Sequence, residues 1–305
     1  MKTVDLDGVP VSAIGLGTWQ FGSREWGYGA DYAEREAPAI LRRALELGVT
    51  FIDTAEMYGF GASERIIGRT LAAGDLRPGA FLATKLLPIL PLPAFARRSA
   101  SNSRRRLRAD AIDLYQLHWP NPFVPVGTQA QALRGILDAG VARQVGVSNH
   151  SLGRWLAIER ALGRPVVSNQ VSFSLVAPSA ARDLVPYARD HGRAIIAYSP
   201  LGQGLLARAD PHRPGDLRRF SRQFSRRGLE RSAPLRAAVN ATAVTHGATS
   251  GQVALAWLIS HGNVVAIPGA HSVAQLEENA AAADLELTVE EVARLSELAT
   301  RLASS

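Results

Sequence analysis

The chain has 305 residues, of which 47% are hydrophobic and 20% charged, an ordinary globular composition that excludes global disorder. It contains no cysteine, which excludes disulfides, thiolate-ligated zinc or iron–sulfur centres and a cysteine nucleophile. The formal charge of +7 comes mostly from arginine, concentrated at 96–108 and 208–231. Base-stacking aromatics are absent from the first patch and sparse in the second, so nucleic acid is not an expected partner. The first patch is read as a solvated helix face; the second is expected to be a long loop with an anion-binding role left open. No apolar run reaches bilayer length, and the N-terminal stretch lacks the charge and apolar pattern of a signal peptide. A cytoplasmic protein without a membrane partner is therefore expected.

In chain order, "VDLDGVPV" (4–11) reads as a short hairpin turning at Asp7-Gly8. Eight strand candidates follow: "SAIGLGTW", "VTFIDTA", "AFLATKL", "AIDLYQLH", "RQVGVSN", "PVVSNQV", "RAIIAYSP" and "NVVAIPGA". Helical periodicity occupies the segments between them. In "APAILRRALELG", Ile40, Ala44 and Leu47 share a face and Gly48 supplies the stop. "ASERIIGRTLAAG", "TQAQALRGILDAG", "SLGRWLAIERALG", "ARDLVPYARDHG" and "TSGQVALAWLISHG" end at glycine in the same way. Eight strands alternating with helices are the number that closes a (β/α)8 TIM barrel, so an α/β barrel preceded by a short hairpin, as one domain over 1–305, is the expected fold. The competing architecture is a doubly wound open sheet. It would want a third glycine after "GLG" at 15–17, and Gln20 stands there instead.

Barrel enzymes gather their chemistry at the C-terminal ends of strands. Asp53 ends "FID", Tyr58 lies just beyond it, Lys85 ends "FLATK" and His118 ends "DLYQLH". The four types form a coherent set. A lysine ammonium stabilises phenolate and is expected to lower the pKa of Tyr58, and Asp53 supplies the counter-charge that orients Lys85. His118 can hydrogen-bond a carbonyl under attack, so that Tyr58 protonates the oxygen as hydride reaches the carbon.

With "GLGTW", "FIDTAEMYG" and "GASERIIG", "ATK", "IDLYQLHWP", "GVSN", "NQV", "YSPLGQG" and "IPGAHSVAQLEEN" in this order from about residue 4 to about residue 300, the sequence resembles the aldo-keto reductase superfamily. The resemblance implies a (β/α)8 barrel that reversibly reduces aldehydes or ketones with a reduced nicotinamide, and it carries the family tetrad onto Asp53, Tyr58, Lys85 and His118, with Tyr58 as general acid. It assigns Ser148, Asn149 and Gln170 to the nicotinamide carboxamide and Tyr198 to stacking on the ring; the alternative is that Asn149 and Gln170 bond each other inside the barrel. Gly17, Thr18, Trp19 and Asp53 fall on the cofactor side of the first two strand ends. Ser199, Pro200, Leu201, Gly202 and Gly204 fall in the loop over the pyrophosphate, with Arg218 and Arg219 beyond it as candidate phosphate clamps. Gly269, His271, Gln275, Glu278 and Asn279 match the adenosine-phosphate segment.

Relatives often place arginine or lysine where this chain has His271, an imidazole without arginine's permanent charge or bidentate fork. The expected cofactor is NADP(H), with NAD(H) also open. Trp19 and Trp119, each just past a barrel strand, are the leading substrate walls, with Trp26 or Tyr28, Phe123 and Phe220 or Phe224 as further aromatics beside Tyr58 and His118. Such walls favour an uncharged aromatic or medium-sized carbonyl compound. Two other functions stay open: a nicotinamide-binding sensor or accessory subunit with slow turnover, and a metal-dependent barrel hydrolase, for which no His-x-His or His-Glu-x-x-His spacing is present.

Overall fold

The computed structural model describes residues 1–22, 32–87, 92–207 and 221–304. It opens on an antiparallel hairpin, β1 (Thr3–Leu6) and β2 (Val9–Ser12). Asp7 and Gly8 both hold positive φ, 53° and 84°, which gives the two-residue turn the twist of the strands it joins.

Eight parallel strands follow: β3 (Leu16–Gly17), β4 (Phe51–Asp53), β5 (Phe81–Leu86), β6 (Ile112–Leu117), β7 (Ala142–Ser148), β8 (Ser168–Ser172), β9 (Ala194–Tyr198) and β10 (Val264–Ala266). Each pairs with its neighbour in chain order. The last returns to the first through parallel bridges Ile14–Ala266 and Gly17–Gly269, with the Gly15 amide donating to the Ala266 carbonyl at 2.8 Å. The sheet thereby closes as a (β/α)8 barrel, which excludes the doubly wound alternative. Six of the eight strands fall within the expected stretches, and β7 and β8 each overrun theirs by one residue, at Ala142 and Ser172.

The outer layer comprises α1 (Ala37–Glu46), α2 (Ala62–Ala73), α3 (Pro93–Leu107), α4 (Val126–Asp138), α5 (Leu152–Leu162), α6 (Leu184–Asp190), α7 (Arg226–Thr245), α8 (Ser250–Ile259), α9 (Val273–Ala281) and α10 (Val289–Ser304). Five of the six glycine stops hold left-handed backbone, Gly74 at φ −113° being the exception: Gly163, at φ 68°, lets its amide close on the Glu159 carbonyl at 2.9 Å and ends α5. One expectation is corrected. The arginine-rich stretch 208–231 is not loop to its end, because Ser225 accepts from the Gly228 amide and starts α7 at Arg226. That cap turns 226–231 into helix.

β5 is buried along its whole length, as a strand covered on both faces must be. The core runs between barrel and helices, and Trp155, Trp257, Tyr115 and Phe51 are its largest fully buried apolar side chains. Lys85 is equally buried, and a lysine in such a place needs compensation. Among the described residues no helix is long and apolar enough to cross a membrane.

Candidate active site

Strand ends bring the candidate groups together at one mouth of the barrel. Lys85, near the end of β5, directs its Nζ at Asp53 Oδ1 (2.6 Å), the Thr54 carbonyl (2.8 Å) and the Tyr58 hydroxyl (3.2 Å). These three acceptors saturate the ammonium. The other carboxylate oxygen, Asp53 Oδ2, accepts from Gln170 Nε2 at 2.8 Å, so both oxygens are acceptors and the carboxylate is ionised.

Burial pushes Lys85 down from its ordinary value, but Asp53 and then Tyr58 outweigh it and hold the group above 10.5, charged. Burial likewise lifts Asp53, against the pull of Lys85 and of the Gln170 amide. Tyr58 corrects the expectation of a lowered pKa. Burial raises its hydroxyl above 10 and Lys85 only partly offsets this, so Tyr58 keeps its proton at neutral pH.

His118 follows β6 directly, its ring 6.0 Å from that of Tyr58 and stacked at 3.9 Å on Trp119. Burial, reinforced by the Lys85 charge, lowers it to about 2, and the imidazole is neutral. Its Nδ1 is buried and has no hydrogen-bond partner among the described residues. Trp119 is 39% exposed and covers the outer face of His118.

The base of the site is tied together by hydrogen bonds. Thr18 donates through its amide (2.9 Å) and its hydroxyl (2.8 Å) to the Asp53 carbonyl, and Ser63 of α2 receives the Thr54 hydroxyl at 2.9 Å and donates to the Thr18 carbonyl. Thr18 is fully buried and holds Asp53 through both its amide and its hydroxyl. The Tyr58 turn is seated by backbone contact: a Cβ on Gly22 would stand 2.6 Å from the Tyr58 carbonyl oxygen. Glu56, in the same turn, points away from the mouth and accepts from the Leu87 amide at 2.5 Å and from Ser99.

Beside the tetrad, Ser148 at the end of β7 donates to the Gln170 carbonyl (2.9 Å). Asn149, at φ 60°, donates to the His118 carbonyl (3.2 Å) and accepts from the Tyr198 hydroxyl (2.9 Å). Asn149 and Gln170 do not bond each other through their side chains. Their amides and the half-buried face of Tyr198 form a donor and acceptor set of the chemistry a planar carboxamide ring requires, so these residues fit a nicotinamide. The following loop carries positive φ at Ser199 (50°), Gly202 (57°), Gln203 (57°) and Gly204 (99°), with Pro200 and Gly202 buried and Leu201 half-buried. Leu201 (φ −96°) followed by left-handed Gly202 is the αR–αL pairing of an anion nest, while the Gly202 and Gly204 amides donate to the Ser199 and Leu201 carbonyls.

The segment from Gly269 to Asn279 leads into α9, capped by Ser272. His271 is exposed, its amide held by Gln275 Oε1 at 2.9 Å and its ring against the same oxygen. Glu278 accepts from Thr249 (2.7 Å), and Asn279 is buried and ties back to the Gly269 carbonyl at 3.4 Å. Tyr28, Trp26, Arg218, Arg219 and Phe220 lie outside the described residues. Trp19 is half-buried in the short helical turn Trp19–Gly22, and Phe123 is 93% exposed. Phe224, at 2% exposure, packs inward instead of walling an open pocket. Among the described residues no group of three or more His, Asp or Glu is arranged to hold a metal ion.

Two contacts within the site were not expected from sequence. The Thr54 carbonyl belongs to the backbone and leaves no mark in a motif, and Gln170 reaches Asp53 across 117 positions of sequence. Gln170 was expected to meet the nicotinamide carboxamide, and its polar neighbourhood in β8, Ser168-Asn169-Gln170, carries no signal for Asp53.

The model of the Aldo/keto reductase family matches residues 13–300. An uncharacterized oxidoreductase of Mycobacterium tuberculosis is 53% identical over 293 residues, covering 95% of this chain and 90% of the relative. The methylglyoxal reductase YeaE of Escherichia coli is 35% identical over 297 residues, covering 96% and 93%. Among solved structures, an aldo/keto reductase from Klebsiella pneumoniae in complex with NADP and acetate superposes with a TM-score of 0.78 at 34% identity, covering 97% of this chain and 95% of that one.

Proposed function

The chain belongs to the aldo/keto reductase family, and from that premise we propose that it acts as one catalytic unit reducing an aldehyde or ketone to an alcohol, with Tyr58 as general acid. The observation that carries this reading is the Tyr58 hydroxyl 3.2 Å from a saturated, fully buried Lys85 ammonium, beside a neutral His118.

A reduced nicotinamide, when bound, supplies the hydride that arrives at the carbonyl carbon. Ser148, Asn149 and Gln170 would hold its carboxamide and Tyr198 its ring face. The backbone of 199–204 and the 269–279 segment would hold the phosphates and adenosine, with NADP(H) preferred and NAD(H) accepted because His271 lacks a fixed charge. The neutral imidazole of His118 offers one N–H to the carbonyl oxygen and orients it. Tyr58 then gives its proton to that oxygen as negative charge develops there. The tyrosinate left behind is stabilised by Lys85, which Asp53 keeps charged, and a solvent proton restores the phenol. The raised pKa of Tyr58 serves this sequence, since the acid holds its proton until the oxygen becomes a strong base.

Trp119, stacked on His118, supplies an apolar wall, so the proposed substrate is an uncharged carbonyl compound. The test is loss of reduced-nicotinamide absorbance with an aromatic aldehyde and with methylglyoxal, supplying NADPH or NADH in turn, for wild type and Tyr58→Phe. Turnover should fall by at least about a hundredfold in the variant while cofactor binding persists. Tight binding without turnover in the wild type would move the protein to a sensor role, and full activity in Tyr58→Phe would remove Tyr58 as the acid.

A further inference from the structure

On the outside of the barrel, α2 and α3 carry arginines toward one another. Arg65 and Arg69 lie one helical turn apart on α2; Arg105 and Arg106 end α3, and Arg108 follows in a left-handed cap at φ 53°. With Asn102 they line a cleft of about 450 Å³. The close approach of the helices makes the cleft: a Cβ on Gly68 of α2 would stand 2.7 Å from the Leu107 carbonyl carbon, so the two backbones touch there.

Charge in this cleft is unbalanced. Arg106 is neutralised, its Nε donating to the buried Glu64 carboxylate at 2.5 Å with Glu56 at 4.0 Å. Among the described residues, the Arg65 side chain reaches the Phe60 carbonyl alone (3.3 Å) and that of Arg105 the Asn102 side chain alone (2.5 Å). Among the described residues, no carboxylate forms an ion pair with Arg65, Arg69, Arg105 or Arg108. Four exposed guanidinium groups therefore converge on a concave surface with no carboxylate among the described residues paired to relieve their repulsion. Planar guanidinium forks match phosphate oxygens bidentately, and the volume lies in the range of small-molecule sites. No aromatic residue lines the cleft, so base stacking has no platform there.

We infer that this cleft is a binding site for a small polyphosphate anion, separate from the barrel mouth. Four unpaired charges suit a ligand bearing two or more linked phosphates over a single orthophosphate. The ligand is either free polyphosphate or the phosphate chain of a nucleotide. The site does not depend on the proposed reduction, since none of the tetrad lines it.

The test is calorimetric titration of the full chain with sodium tripolyphosphate, orthophosphate and ATP in about 0.1 M salt, repeated with saturating NADP. The comparison is between Arg69→Gln/Arg105→Gln and Arg160→Gln/Arg294→Gln; the latter pair removes the same charge from exposed positions on α5 and α10. Arg106 is left intact because Glu64 depends on it. Tripolyphosphate should bind more tightly than orthophosphate, undisturbed by NADP, and about tenfold more weakly in the cleft variant with the control unchanged. ATP binding as tripolyphosphate does assigns the site to the phosphate chain; tighter ATP binding, equally lost in the cleft variant, assigns it to a nucleotide. Equal weakening in both variants, displacement by NADP, or no saturable binding would overturn the inference.

Discussion

Replacing Asp53 with asparagine removes the carboxylate that compensates Lys85. The ammonium is fully buried and would keep two neutral acceptors, the Thr54 carbonyl at 2.8 Å and the Tyr58 hydroxyl at 3.2 Å, in place of the charged oxygen at 2.6 Å. Taking one partner from a buried ion pair strands the other charge and costs about 3–5 kcal/mol. Lys85→Met should cost a similar amount, because it leaves the Asp53 carboxylate, 1% exposed, with Gln170 as its one remaining side-chain donor. The double variant has no stranded charge. It should therefore be less destabilised than the sum of the singles, by about 2–3 kcal/mol of coupling. Equilibrium urea unfolding of the four proteins, followed by far-ultraviolet circular dichroism, measures each quantity. Single-variant losses that add to the double within about 0.5 kcal/mol would show that Asp53 and Lys85 do not compensate each other, and the assignment of Asp53 as keeper of the Lys85 charge would fail.

Acid stability gives a second test. Burial lowers His118 to about 2 and His150 to about 4, against 6.5 unfolded. The unfolded chain therefore binds more protons below 6.5. The stability these groups contribute is complete above that value and is lost as pH falls, through about 4 for His150 and about 2 for His118, at up to about 1.4 kcal/mol per pH unit for each. His150→Gln should flatten the decline between 6.5 and about 4; an unchanged slope in urea midpoints across that window would refute the buried neutral state. Gly22→Ala would press a methyl group against the Tyr58 backbone, costing about 1–3 kcal/mol of stability. A displaced acid loses about a hundredfold in kcat, and wild-type kcat would show that this contact does not set the Tyr58 position. His271→Arg should lower the KM for NADPH by about tenfold while leaving that for NADH unchanged. An equal effect on both would place residue 271 away from the distinguishing phosphate.

Much of this protein was legible in its sequence because the signals are local. Strand runs, glycine stops and the Asp7-Gly8 turn depend on neighbouring residues, and a closed barrel sends the end of every strand to the same face. That rule gathered Asp53, Lys85 and His118 before any contact was known. What tertiary structure decided depends on burial and on partners distant in sequence. The Tyr58 hydroxyl is held up, not down, because desolvation outweighs the nearby ammonium, and no motif measures desolvation. Thr18 also ties its hydroxyl to the Asp53 carbonyl, 35 positions away, a contact no local motif records. The arginines of 96–108 read as one solvated face, yet Arg106 turns inward to Glu64 while Arg105 and Arg108 meet α2 across a cleft. Periodicity placed those residues on a helix. Only the packing of α3 on α2 determined which charges were cancelled and which were left to face one another.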